Sequence, residues 1–146
     1  TLDEMRASEF LPFKAGIAAG ADFVMIGHIA VPSVTGDNTP ATLSHEVITN
    51  ILRGELGFNG IVITDAMNMG AITEYYPSGE AAVSALTAGA DMILMPENFE
   101  EAYNAVLDAI SNDVISEERI DESLRRIYRV KCKNNMATSF EDIGSN

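Results

Sequence analysis

Three short runs with no polar position, each reached through a glycine, set the pattern of this chain. Phe23-Val24-Met25-Ile26, Ile61-Val62-Ile63 and Met92-Ile93-Leu94-Met95 are wholly apolar. Runs of this length without alternation of polar and apolar residues predict strands covered on both faces, as in a parallel sheet between helices. Ala18-Ala19-Gly20-Ala21-Asp22 leads into the first run and Thr87-Ala88-Gly89-Ala90-Asp91 into the third. Leu56-Gly57-Phe58-Asn59-Gly60 leads into the second. Each lead has a glycine suited to a left-handed helix cap, so one helix–glycine–strand join is repeated three times.

Between the strands the spacing predicts helices over residues 2–19, 44–56, 78–88, 99–111 and 116–132, with strands over 23–27, 61–64 and 92–95. Ser44 is the cap candidate of the second helix, with Val47, Ile48 and Leu52 on one face. Glu117 and Glu118 begin the last helix with negative charge, and Lys131 and Lys133 close it with positive charge, as the helix dipole favours. Loops cover 28–41 and the stretch from Thr64 to Tyr76. The residues after Asn134 predict a polar, frayed tail.

Three parallel strands with no fourth neighbour leave two bare apolar edges. The expected fold class is therefore α/β, as part of a TIM-like (β/α)8 barrel, which in full takes roughly 250 residues. An open three-stranded sheet is the alternative. The expected division is 1–134 as the C-terminal part of the barrel and 135–146 as the tail.

Composition narrows the function more than the fold. With 146 residues, 47% of them hydrophobic and 21% charged, the chain suits one globular domain with a core. A net charge of −13 disfavours nucleic acid as a partner, which needs a basic face. No basic amphipathic helix and no apolar run of about 20 residues points to a membrane. Cys132 is the single cysteine, so no internal disulfide forms. No zinc spacing, P-loop or dinucleotide fingerprint is present, and neither metal nor cofactor is expected. Thr1-Leu2-Asp3-Glu4 reads as a helix cap and first turn, so the lack of a leader leaves the compartment open.

Asp65 is the residue to explain. It follows Gly60-Ile61-Val62-Ile63-Thr64 at the carboxyl end of a buried strand, where parallel α/β folds present reacting groups. A nucleophile or general base is one reading, and a cap for the next helix is the other. Met67 and Met69 follow as expected walls of a pocket for a sugar or other ring, though methionine also fills cores. His28 ends the first strand on the same rim. It is expected to contact the hydroxyls of a substrate or hold a neighbouring loop, or else to bond the backbone structurally at the strand end. Of the remaining groups, His45 reads as surface, and Asp37-Asn38-Thr39-Pro40 reads as a turn that could line the site. Asp22 and Asp91 fall at the amino ends of strands, the stability face of a barrel. Arg53 and Glu55 read as surface or packing residues.

The run Ile51, Leu52, Arg53, Glu55, Gly60, Ile61, Val62, Ile63, Thr64 and Asp65 resembles the active-site signature of glycoside hydrolase family 3. Leu11-Pro12-Phe13-Lys14-Ala15-Gly16-Ile17, Val24-Met25-Ile26-Gly27-His28-Ile29 and Pro40-Ala41-Thr42-Leu43-Ser44 extend the resemblance over nearly the whole chain. Thr64-Asp65-Ala66-Met67-Asn68-Met69 is closest in style to the bacterial β-N-acetylglucosaminidase branch. The resemblance implies a TIM-like barrel and a cofactor-free retaining glycosidase acting on an oligosaccharide or amino-sugar glycoside. Asp65 would be its nucleophile. In that branch the acid/base is a His on a loop after an earlier strand, and a Lys-His-Phe-Pro-Gly-His-type motif contacts the sugar. This sequence contains neither. The expectation is a fragment that carries the nucleophile, lacks the upstream half of the barrel, and is inactive alone.

Other readings stand beside it. One is a structural module whose half barrel pairs with a second copy as a homodimer. Another is a β-glucosidase-type or phosphorolytic relative. The resemblance suits a secreted or cell-envelope bacterial setting without closing off the cytoplasm.

Overall fold

The computed structural model describes residues 1–133. Two helices, α1 (Leu2–Ala7) and α2 (Phe10–Ala18), lead into β1 (Phe23–Ile26). A short helix α3 (Pro32–Thr35), a 3-10 turn (Ala41–Leu43) and a π-helix (Glu46–Glu55) connect β1 to β2 (Ile61–Ala66). Next come α4 (Gly70–Thr73), α5 (Ser78–Ala88) and β3 (Met92–Leu94), then α6 (Phe99–Ser111) and α7 (Glu117–Lys133). The expected tail at 135–146 lies outside the described residues.

The three strands form one parallel sheet in the order β1-β2-β3. Phe23 pairs with Ile61 and Ile26 with Thr64, so β1 and β2 run in step along the whole of β1. The expected α/β architecture of parallel strands flanked by helices is the one observed. Gly20, Gly57 and Gly89 all have positive φ, as the three repeated joins require.

Two elements depart from the sequence pattern. The helix expected over 2–19 is broken at Ser8 and Glu9. Thr1 and Glu4 form a reciprocal capping box at its start. Pro12 explains the break, because a proline ring has no N–H and collides with the carbonyl four residues back, here Ser8. In α2 Pro12 sits within the first turn, where the missing donor costs nothing. The second departure is the helix before β2, which winds wide. Leu56 N–H reaches the Ile51 carbonyl, five residues back, at 2.8 Å. Ser44 does cap its start, accepting from Val47 N–H at 3.3 Å.

The main core lies between the sheet and the helices that follow β1 and β2. Ile48 and Leu52 of the π-helix, Phe58, Val62, Ile72, Ala81 and Ala85 form its centre. Burying one such large side chain contributes about 1.5–3 kcal/mol. A second cluster of Leu86, Ala109 and Ile115 joins α5 to α6 and the turn before α7. Coverage of the sheet is uneven. Val24 and Ile26 of β1 pack against the main core, whereas Phe23 and Met25 are 48% and 53% exposed on the alternate positions. β1 is therefore covered on one face only.

Candidate active site

The carboxyl ends of β1 and β2 meet at one rim, and Asp65 stands on it. The β1–β2 ladder ends at Ile26 and Thr64. On the other side Ile63 pairs with Met92 and Ala66 with Leu94, so three steps along β2 match two along β3. That mismatch is a β-bulge at Thr64 and Asp65, and a bulge re-aims the side chain it carries. Thr64 turns inward, fully buried, and its Oγ1 accepts Leu94 N–H at 2.9 Å in place of a backbone carbonyl.

Asp65 is partly exposed. Its Oδ1 accepts Ala66 N–H at 2.8 Å. Oδ2 takes no hydrogen bond from the described residues, which leaves it available to an electrophile. A short loop from Met67 to Met69 separates it from α4, whose capping position is Met69 and which shows no side-chain cap. Asp65 is thus not spent as the cap of the next helix.

His28 lies beside it, two residues past the β1 end in the same loop as Gly27. Its Nε2 is 3.0 Å from the Ala66 carbonyl and its Nδ1 is 2.7 Å from Thr42 Oγ1. A carbonyl can only accept, so Nε2 carries the hydrogen. Thr42 is fully buried in the 3-10 turn, and its hydroxyl also lies 3.0 Å from the Gly27 carbonyl. Both ring nitrogens are therefore engaged by the protein. Sequence reasoning passed over Thr42 and Thr64. Each is a hydroxyl in an otherwise apolar lead or strand, and each stands in a run that carries the family resemblance.

The two methionines separate. Met69 is 46% exposed next to the rim, but Met67 is 3% exposed and packs in the main core. The pocket-wall expectation for Met67 is corrected accordingly: after the bulge the chain turns it inward, where its apolar side chain supports the loop from beneath.

A hollow of about 770 Å³ on this side is bounded by the loops after β1 and β2. His28, Asp37, Asn38, Thr39, Glu74 and Tyr75 line it; Asp65 does not. Asp37 Oδ1 accepts Thr39 N–H at 2.9 Å, the turn that the sequence pattern led us to expect. That hydrogen bond holds the exposed Asp37 carboxyl below its ordinary value. His45 is exposed on the surface.

The remaining candidates lie at the opposite, amino-terminal end of the strands. Asp22 Oδ1 accepts from Lys133 Nζ at 2.8 Å. Asp91 is buried among Arg53, Arg119 and Arg126. Of the surface and packing roles open to it, Arg53 takes the packing one, donating also to the Gly60 and Gly89 carbonyls. Among the described residues no group of His, Cys, Asp and Glu could hold a metal ion, and no helix is long and apolar enough to cross a membrane.

Comparison with known proteins assigns the family. Residues 1–130 match the Glycosyl hydrolase family 3 N terminal domain. A β-N-acetylglucosaminidase/β-glucosidase of Cellulomonas fimi is 32% identical over 141 residues, covering 90% of this chain and 25% of that protein. The structure of a family 3 β-N-acetylglucosaminidase from Paenibacillus superposes with a TM-score of 0.86 at 44% identity, covering 90% of this chain and 26% of that one. A β-glucoside phosphorylase superposes at 0.87 with 32% identity, covering 94% of this chain and 26% of that one. The chain spans about a quarter of the length of each. It belongs to glycosyl hydrolase family 3.

Proposed function

We propose that this chain is the C-terminal part, residues 1–134, of the barrel of a retaining, exo-acting β-N-acetylglucosaminidase-like hydrolase, with Asp65 as its nucleophile. The observation that carries the reading is Asp65 itself. It is a partly exposed carboxylate in a bulge at the carboxyl end of the central strand, with one oxygen hydrogen-bonded and the other unengaged. In the first step Oδ2 attacks the anomeric carbon, and the bond from that carbon to the leaving oxygen breaks with its electron pair. An acid protonates that oxygen. In the second step the same group removes a proton from water, which displaces Asp65 and releases the sugar.

The acid/base and the sugar clamps are assigned to the parent protein outside this chain. A nucleophile without them loses positioning and proton transfer together. The isolated chain is therefore expected to show no turnover of an aryl N-acetylglucosaminide above background, and robust hydrolysis would contradict this. In the whole enzyme Asp65→Ala should lower kcat by about 10³-fold or more and abolish the glycosyl-enzyme. Full activity in that variant would overturn the assignment.

The superposition with a β-glucoside phosphorylase favours a second reading in which phosphate replaces water. Both share the attack by Asp65 and differ in the acceptor. Mass spectrometry of products formed in phosphate buffer separates them, because only phosphorolysis yields a sugar 1-phosphate. A non-catalytic reading draws on the exposed Phe23 and Met25 of β1, which a second copy could cover by pairing. A monodisperse monomer in size-exclusion chromatography with light scattering would count against it.

A further inference from the structure

We propose that His28, held by Thr42, is a positioning residue that fixes the aim of the Asp65 carboxylate. The proposal rests on Asp65 being the nucleophile. It starts from the ladder, which ends at Ile26 and Thr64 and so provides no backbone partner on the β1 side for the segment just beyond Asp65. The side chain of His28 takes that place.

Its Nε2–H donates to the Ala66 carbonyl at 3.0 Å. The same peptide unit is held from the opposite side, where Met67 N–H donates to the Leu94 carbonyl at 2.9 Å. Ala66 is thereby fixed across the sheet, and its own N–H in turn holds Asp65 Oδ1 at 2.8 Å. Behind the ring, Thr42 Oγ1 sits 2.7 Å from Nδ1 and is itself fully buried, which fixes the rotation of the imidazole. Thr42 Oγ1 also lies within reach of the Gly27 and Ile26 carbonyls, at 3.0 and 3.4 Å, so the end of β1 fixes its position in turn. The path from a buried threonine to the nucleophile runs through three hydrogen bonds and one residue, Ala66.

A bulge is the place where such support counts, since the local ladder is disrupted there and the strand bends. With both nitrogens occupied, His28 has no ring atom left for a sugar hydroxyl. Its contribution falls on the attack step, because a misplacement of about 1 Å can cost about 100-fold in rate.

The test uses the whole enzyme that carries this segment, an aryl N-acetylglucosaminide as substrate, and burst kinetics to follow the glycosyl-enzyme. His28→Ala is expected to lower kcat and the burst rate by about 10- to 100-fold, with KM held within about twofold. His28→Gln, whose amide N–H can donate to the same carbonyl, is expected to recover activity to within about fivefold of the parent. A folded His28→Ala enzyme with undiminished kcat overturns the proposal. So does one whose KM rises while kcat stays put, since that marks a contact with the sugar. If His28→Ala does not fold, Thr42→Val makes the same test by releasing the ring, and unchanged kcat there also overturns it. Asp65→Ala is run alongside. A glycosyl-enzyme that persists in that variant removes the nucleophile assignment itself, an outcome distinct from the failure of the His28 variants.

Discussion

Asp91 Oδ2 stands 2.6 Å from Arg53 Nη2, at the end of the sheet opposite Asp65. The Asp91 side chain is completely buried, and each of its oxygens has at least two partners. Oδ2 also accepts Val62 N–H at 2.9 Å, while Oδ1 accepts from Ser123 Oγ at 2.7 Å and Arg126 Nη1 at 3.0 Å. Arg119 completes the group at 3.8 Å and donates to the Leu86 and Ala90 carbonyls. Burial pulls the Arg53 and Arg119 guanidinium groups below their ordinary value, and Asp91 opposes that shift. One carboxylate thus joins the π-helix, the start of β2, the start of β3 and α7. Removing a partner from a buried ionic group costs about 3–5 kcal/mol, chiefly because the charges left behind have no compensation. Asp91→Ala should lower stability by about that amount in urea unfolding. A loss below about 1 kcal/mol would show that water or rearrangement satisfies the three arginines.

Gly89 and Gly20 occupy equivalent joins but should respond differently to a methyl group. Both have positive φ, at 119° and 86°. The left-handed conformation alone costs a residue with a Cβ about 1–2 kcal/mol. At Gly20 a Cβ meets nothing within 4 Å, so Gly20→Ala should cost only that. At Gly89 the Cβ would lie 2.5 Å from Thr49 Oγ1 and 3.0 Å from Ile48 Cγ2. Thr49 is committed there by its hydrogen bond to the Ala88 carbonyl at 2.8 Å. Overpacking adds about 1–3 kcal/mol. Thermal or urea unfolding should therefore rank Gly89→Ala as the more destabilised by at least about 1 kcal/mol. Equal losses would mean that the π-helix shifts aside freely.

These two ends of the sheet differ in how far the sequence reveals them. The repeated Gly20, Gly57 and Gly89 joins announce the strands because a left-handed cap followed by an apolar run has few other solutions. Asp65 is visible for a related reason, as a carboxylate ending a strand too apolar to tolerate it without purpose. The bulge was not legible. It depends on how β2 and β3 align, and alignment between strands leaves no mark in either one alone. Met67 and Met69 show the consequence, since two identical side chains two residues apart would normally share a face of a strand. The loop that follows the bulge buries one and exposes the other. The contact of His28 with Thr42 spans fourteen residues and a loop, so no local pattern could signal it. Pro12 was legible in principle, and the break it causes in the first helix follows from the carbonyl four residues earlier.

Arg6 and Glu55 give a prediction in pH. Arg6 Nε and Nη2 each donate to a different oxygen of Glu55 at 2.8 Å, a two-pronged pair that ties α1 to the end of the π-helix. The Arg6 hydrogen bonds hold the Glu55 carboxyl below its ordinary value of 4.5. A carboxylate lowered on folding contributes stability above its unfolded value, and loses it as pH falls through the folded one. The side-chain carbon of Glu55, followed by NMR, should titrate below 4.5 in the parent and return toward 4.5 in Arg6→Ala. The stability difference between the parent and Glu55→Gln should be present at neutral pH and vanish under acid conditions below that midpoint. Because both side chains are partly exposed, added salt should shrink it as well. A Glu55 titration unaffected by loss of Arg6 would show that the pair does not form in solution.

Thr64 supplies the sharpest test of the bulge. Its hydroxyl is the acceptor for Leu94 N–H, and Thr64 itself is fully buried. Valine has nearly the same shape but no oxygen, so Thr64→Val leaves that amide without its acceptor. An unsatisfied buried donor costs about 1–3 kcal/mol. Thr64→Ser keeps the acceptor and removes one methyl group, at about 1 kcal/mol. The two losses in stability can overlap, so hydrogen exchange at the Leu94 amide decides between them. Exchange should accelerate markedly in Thr64→Val and stay near the parent rate in Thr64→Ser. In the whole enzyme the valine variant should also lose kcat more than the serine variant, because the bulge that aims Asp65 slackens only when the hydroxyl is gone. If the Leu94 amide were as protected in Thr64→Val as in the parent, another group would be closing the bulge. Asp65 would then owe its direction to contacts other than Thr64.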